Sequence, residues 1–342
     1  MIKQSSIMKK TILIALTAIV VTACSEHRPH PDTSACTITT QIEPFYRDLF
    51  SSTDQNLQDK TNRLTQQYSG FFTSYCEQEL RIGNPTDSDF VSNLQRFLSY
   101  KENSEVIATC DSVFDKYIPV ENQKLSEYLS YLKYYLPNTT IPQHIYCHFS
   151  GFNSKILIDS AYISVSIEHY LGTDCRYYPW LEIPLYARKG KKPENISMDI
   201  VKAILYANYP DQSNTDNVLS AMIYQGKILY ITSLCLPDEP MTTIMGLTAD
   251  EMKWCEKAET QMWGYLAEQK LLYSTNPLDR NKLVNETPFT VFFGDKSPGR
   301  AALYCAINIV KSYVSKHPDT TMEQLLKMDD AQQLLIDAQY RP

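Results

Sequence analysis

Hydrophobic positions recur every three to four residues from Ile42 to about Leu136. This spacing predicts helices over 56–68, 71–80, 90–100, 105–117 and 121–136. In the last of these, Leu125, Leu129, Leu132 and Leu136 build one apolar face, and Pro137-Asn138 ends it. The period then drops to two. Residues 145–149, 155–158 and 162–167 alternate and are rich in β-branched side chains, with Gly151-Phe152-Asn153-Ser154 and Asp159-Ser160 as turns, so they read as an antiparallel meander. Beyond Pro179 the helical spacing returns over 198–208, 217–234, 249–273, 300–316 and 322–337. Two capping boxes, Thr248 with Glu251 and Thr320 with Glu323, mark helix starts. The pattern specifies an α+β fold, mostly helical with one small antiparallel sheet. A helical part over 41–140 and an α+β part over 141–342 are expected to pack as one unit.

One stretch breaks its own pattern. Met222-Ile-Tyr-Gln-Gly-Lys-Ile-Leu-Tyr230 places Gln225-Gly226-Lys227 inside a segment otherwise fit for a core. A glycine in a helix costs about 1 kcal/mol relative to alanine, which close backbone packing would offset. Leu219, Ile223, Tyr230 and Leu234 share the face of Gly226 at 3.6 residues per turn. Lys227 beside them is expected to bury its stem and keep its ammonium in water.

The N-terminus has a different character. Lys3, Lys9 and Lys10 precede an apolar run over 11–21 and then Val21-Thr22-Ala23-Cys24. The run is 11 residues long, whereas a membrane-spanning helix needs about 20. Residues 1–23 therefore read as a secretory signal. The small residues before Cys24 resemble a bacterial lipobox, which implies a lipid anchor at Cys24. Ser25 after it, in place of Asp, favours the periplasmic face of the outer membrane over the inner membrane. Residues 25–40, with Pro29 and Pro31 and no apolar period, read as a tether. The expected partners are thus the membrane, through the anchor, and envelope proteins.

A formal charge of −7, with positive charges scattered along the chain, argues against nucleic acid. Eight cysteines follow Cys24 and none forms Cys-x-x-Cys, so buried thiols are expected, with room for one or two bridges. Glycine is scarce, 10 in 342 residues, which disfavours phosphate-cradling loops, and no motif for a cofactor is present. His144 and His148 have the spacing of a zinc-helix pair, but they lie in strand context, where four residues span about 13 Å, so both rings cannot hold one ion. No Gly-x-Ser-x-Gly elbow occurs. Glu168 and His169 after the last strand, Lys227, Glu259 beside Trp263, and Arg300 are the candidates for a functional cleft.

The segments 150–179, 222–230, 247–275 and 297–314, together with 136–153, resemble the gliding-motility lipoprotein GldB family, and the resemblance covers nearly the whole chain after Cys24. In the segment after Pro298-Gly299-Arg300, Ala302 and Ala306 stand where the family often has glycine. The family is distantly similar to zinc proteases in which a His-Glu-x-x-His helix precedes a helix resembling Glu-Gly-x-Ala-Glu-Tyr. This implies a degenerate zincin-like core, with residues 199–209 matching the first helix and 224–230 the second. No histidine lies in 199–209, and Leu229 stands at the ligand glutamate. The resemblance therefore implies a non-catalytic envelope protein supporting a motility or secretion apparatus. An envelope hydrolase with a relocated site and a ligand-binding lipoprotein are the alternatives.

Metabolic labelling with an acyl analogue is expected to tag the wild-type chain and to leave Cys24→Ser unlabelled. Equal labelling of the two would exclude anchoring at this cysteine.

Overall fold

The computed structural model describes residues 30–342, and the signal segment and Cys24 lie outside the described residues. Residues 32–342 form one compact unit. Its N-terminal edge follows a long helix: the Ile38, Thr40 and Ile42 amides donate to Ser130 Oγ at 2.8 Å, Ser126 Oγ at 3.1 Å and Asn122 Oδ1 at 2.9 Å. Chain expected to be tether as far as residue 40 is therefore held from Ile38 onward, because Ser130, Ser126 and Asn122, spaced four residues apart on the helix, supply acceptors for its backbone.

The first strand, β1 (Ile42–Glu43), leads into α1 (Phe45–Phe50), α2 (Leu57–Ser74), α3 (Phe90–Leu98) and the 35-residue α4 (Lys101–Tyr135). Helix α2 kinks at Ser69, whose φ of 40° is left-handed, and ends in a π-turn over Tyr75–Glu79. The break between the two expected helices is thus a bend within one. Pro119 likewise does not end α4. Proline forfeits only its own N–H bond and crowds one carbonyl, while Val106, Cys110, Ile118, Leu125, Leu129 and Leu132 on both sides of it are buried in the same core.

Strands β2 (His144–His148), β3 (Ile156–Ile158) and β4 (Tyr162–Ser166) complete a sheet of order β1-β2-β4-β3. The sheet is mixed, which corrects the antiparallel meander. The hairpin β3–β4 is antiparallel as expected from its Asp159-Ser160 turn, but β4 lies between β2 and β3, parallel to β2. The two inner places go to β2 and β4, each buried over its last four residues, and the edges to the short β1 and the more exposed β3. Alternation then divides the faces. Ile145, Cys147, Ile163 and Val165 enter the large core, whereas Tyr146 joins a cluster formed by Phe45, Phe71, Phe72, Tyr75 and Phe90 from α1 to α3.

The second half begins with two single turns, α5 (Tyr177–Trp180) and α6 (Leu185–Arg188), followed by α7 (Ile196–Asn208) and α8 (Val218–Cys235). Then come α9 (Met241–Met245), α10 (Ala249–Glu268), α11 (Pro277–Val284) and α12 (Ala302–Lys316), and α13 (Met322–Lys327) and α14 (Ala331–Ala338) close the chain. The capping box at Thr248 and Glu251 forms as expected. The second box uses Thr321 and Gln324, one residue later than the sequence pattern suggested. All eight cysteines in the described residues are free thiols. Helix α8 is apolar and long enough to cross a bilayer, yet it is enclosed by the core.

Gly226 explains how α8 is enclosed. A Cβ on it would lie 2.7 Å from the Ala306 carbonyl oxygen and 3.2 Å from the Ala306 Cβ, so α8 and α12 meet backbone to backbone with two small residues at the crossing. Lys227, expected to reach solvent, is instead buried and donates to the Met328 carbonyl between α13 and α14. Burial holds its pKa down to about 8.

Gly226→Ala is expected to lower the unfolding free energy by about 1–3 kcal/mol, the usual cost of overpacking. Denaturant titration of the variant checks this, and an unchanged midpoint would mean that the helices part freely at this point.

Candidate functional site

The chain after β4 makes a single 3-10 turn, Ile167–Tyr170, in which every residue is buried. The turn follows from the strand's register. Ser164 and Ser166 point away from the large core, and the next residues fold back under the loop that joins β2 to β3. Glu168 Oε1 accepts from the Ser150 amide at 2.6 Å, the Ser150 hydroxyl at 2.6 Å and the Phe152 amide at 3.0 Å. Ser166 Oγ in turn donates to Ser150 Oγ at 2.8 Å. The second carboxylate oxygen, Oε2, is buried without a partner. Burial pushes the Glu168 pKa up and its three donors oppose that shift, so the group sits between two tendencies.

The neighbouring residues each tie down a further segment. The Glu168 carbonyl accepts the Tyr178 hydroxyl at 3.0 Å. His169 Nδ1 pairs with Lys191 Nζ at 2.7 Å. Tyr170 donates to Asp199 Oδ2 at 3.0 Å, and Lys155 forms an ion pair with the same oxygen at 2.6 Å. His148 Nδ1 lies 2.7 Å from Ser164 Oγ. Burial holds His148 neutral, with a pKa near 3, and His169 adds to the shift. His169 is likewise held to about 3 by burial and by the Lys191 and Lys155 ammoniums. Lys191 itself is pushed down to about 8 by burial and by Lys155. A neutral His169 can therefore accept from Lys191 at physiological pH.

Asp199 and Lys155 reach the wall of an open cleft of about 260 Å³ between α7, α9 and the approach to α12. Five cations, Lys155, Lys189, Lys192, Lys202 and Arg300, line it against two carboxylates, Asp199 and Glu286. Lys202 donates to the Ile244 carbonyl at 2.8 Å, and burial lowers its pKa to about 8. Arg300 has a left-handed φ of 61° and keeps Nε buried without a partner, and its Nη1 is 3.8 Å from Glu286. Five of the chain's 32 lysines and arginines, from separate parts of the sequence, thus gather here. The run Arg188-Lys189-Gly190-Lys191-Lys192 was the sequence signal for this cleft. Lys155 and Lys202 could not have been assigned to it, because tertiary packing alone brings them near.

The five candidate residues divide accordingly. Arg300 lies on the cleft wall, whereas Glu168 and His169 do not line the cleft and their turn reaches it through the Tyr170 bond to Asp199. Lys227 and Glu259 lie elsewhere. Glu259 accepts from Asn308 Nδ2 at 2.7 Å and from the Tyr340 hydroxyl at 2.6 Å, and Trp263 packs edge-on against the Tyr340 ring, so this wall fastens the C-terminal residues. His144 is half exposed, 3.7 Å from Glu43, while His148 is buried, so the two do not act as a pair. A zinc centre at α7 does not fit the residues present. Asp199 is already engaged by Lys155 and Tyr170, and the ammonium of Lys202 would repel a dication.

A family model described as gliding motility protein GldB matches residues 26–342. Among curated proteins and among solved structures nothing matches the chain.

The buried histidines set an acid limit. Their folded pKa values lie below the unfolded value of about 6.5, so the stability they allow is complete above pH 6.5 and is lost as pH falls toward 3. The slope is about 1.4 kcal/mol per pH unit for each group, and the raised pKa of Glu168 works in the opposite direction. His148→Asn, which can keep the bond to Ser164, is expected to flatten the decline in unfolding free energy between pH 6.5 and 4 by one proton's worth. Denaturation at stepped pH measures it, and an unaltered slope would mean that His148 titrates normally.

Proposed function

We infer the role of this chain from the premise that it belongs to the family of the gliding motility protein GldB. It is a gliding-motility-related lipoprotein of the cell envelope, and we propose that it works there as a non-catalytic support or assembly factor, anchored through Cys24 and binding envelope proteins of the apparatus. One observation carries the reading: Glu168, Lys227 and Glu259, side chains with chemistry to offer, are engaged by partners inside the fold. Glu168 secures the Ser150 and Phe152 amides, Lys227 the Met328 carbonyl, and Glu259 the C-terminal Tyr340. A hydrolase needs a poised nucleophile or base that can reach substrate. His148 with Ser164 has the pairing, but both are fully buried out of reach of substrate, and a pKa held near 3 by burial makes the imidazole a weak base.

In a deletion strain, full-length chains carrying Glu168→Gln or His148→Asn are expected to restore the motility or secretion phenotype as well as the wild type, provided their melting temperatures are retained. Loss of function in a variant with an unchanged melting temperature would overturn the non-catalytic reading and restore the hydrolase.

A further inference from the structure

Residues 176–192 carry two kinds of side chain that rarely occur together on an exposed loop. Pro179, Trp180, Leu181, Glu182, Pro184 and Leu185 are all exposed, with Trp180 at 73% and Leu185 at 77%. Large apolar groups so fully hydrated are costly to maintain. The same segment holds Arg176, Arg188, Lys189, Lys191 and Lys192 against a single internal carboxylate, Glu182, in a chain whose formal charge is −7. Some of this charge is matched by the rest of the fold: Arg176 pairs with Glu105 and Lys189 with Glu251. Among the described residues, Lys192, Lys202 and Arg300 have no carboxylate within close ion-pair distance other than Glu286 at 3.8 Å from Arg300.

The loop is built to present these groups. Tyr177 and Tyr178 are buried at its root, and the Ile183 amide bonds back to the Tyr178 carbonyl at 3.0 Å. Arg188 Nε caps the Ile183 carbonyl at 2.7 Å, and Lys191 returns its carbonyl to the Gly172 amide at 2.9 Å. Trp180 stands edge-on to Tyr177 at 5.8 Å. Four residues beyond Leu185, Lys189 begins the wall of the basic cleft.

We propose that this face docks on an anionic bilayer, with Trp180, Leu181 and Leu185 entering the headgroup boundary and the cleft of Lys192, Lys202 and Arg300 receiving a lipid phosphate. Tryptophan and leucine partition into the membrane interface, and flanking lysines and arginines add attraction to anionic headgroups. A lipoprotein of the envelope has a bilayer within reach, and a second, surface-borne contact fixes how the domain stands on it. The inference uses only that envelope placement and not the non-catalytic reading.

The test uses the lipidated full chain reconstituted in vesicles of phosphatidylcholine alone or mixed with phosphatidylglycerol, each made with brominated acyl chains that quench nearby tryptophan. Expected is quenching in the anionic vesicles that is weak in the neutral ones and is removed by Trp180→Phe. Lys192→Glu, an exposed substitution that leaves the fold alone, should weaken docking roughly 25-fold, at about fivefold per unit of charge removed. No quenching in either vesicle, or quenching that survives Trp180→Phe, overturns the proposal. A thermal shift with inorganic phosphate that depends on Lys202, without Trp180 quenching, would also overturn it, since the cleft would then serve a soluble phosphate. Protection of Trp180 in native envelopes without bromolipid quenching would assign the face to a protein partner, and docking would again fail. Because these readouts are physical, their failure leaves the motility role standing, and failed complementation leaves the docking result standing.

Discussion

The arrangement rests on one buried carboxylate. Placing Glu168 beneath the end of the sheet removes a charge from water, a cost of several kcal/mol unless hydrogen bonds offset it. The Ser150 hydroxyl and the Ser150 and Phe152 amides supply that offset on one oxygen. The debt is met by ordering a loop that would otherwise be free, the connection from β2 to β3. The same 3-10 turn then reaches in three further directions: its carbonyl takes Tyr178, His169 takes Lys191, and Tyr170 takes Asp199. Both ends of the exposed loop are thereby fixed to the interior, one through Tyr178 and the other through Lys191. A buried polar network of this kind favours one arrangement because partial versions of it strand charge.

A second constraint holds the half of the molecule against which that network leans. Helix α8 is apolar nearly all round, which in a globular protein means that it must be enclosed. Enclosure on the α12 side is possible only because Gly226 and Ala306 let the backbones close to van der Waals distance. The lysine next to the glycine is then carried inward with the helix. It survives there by donating to the Met328 carbonyl, a group left open where α13 stops and α14 has not begun. A residue that reads as a snorkelling surface cation becomes a tie between core and C-terminus.

These cases show what could be read from sequence and what could not. Periodicity located most of the long helices but not the short ones over 45–50, 241–245 and 277–284, and the close contact at Gly226 followed from the cost of a glycine inside an apolar helix, a local property. The bend at Ser69 and the continuity through Pro119 were less legible, since whether a breaker ends a helix depends on whether the core on its far side is the same core. Strand order was invisible: the Asp159-Ser160 turn dictates the hairpin, but nothing local states that β4 lies beside β2. Of the candidate residues, Glu168 and His169 share one buried turn because they are adjacent in the chain, whereas Arg300 stands on the cleft wall, which that turn reaches only through the Tyr170 bond to Asp199. Glu259 was chosen for its neighbour Trp263, and the two do act together, though on Tyr340 and not on a cleft.

The lysines give the sharpest measure of how environment reassigns a residue. Lys191, Lys202 and Lys227 are all held near a pKa of 8 by burial, yet the three have different consequences. Lys227 faces a carbonyl inside the protein, and Lys191 faces a neutral imidazole, so each has its acceptor within the fold. Lys202 has a carbonyl on one side and, on the other, an open cleft shared with Arg300 and Lys192. A folded-state pKa below the unfolded value of about 10.5 means that the fold disfavours the charged ammonium at all three sites. What distinguishes Lys202 is geometric: it borders an open cleft, whereas Lys191 and Lys227 each meet an acceptor inside the protein.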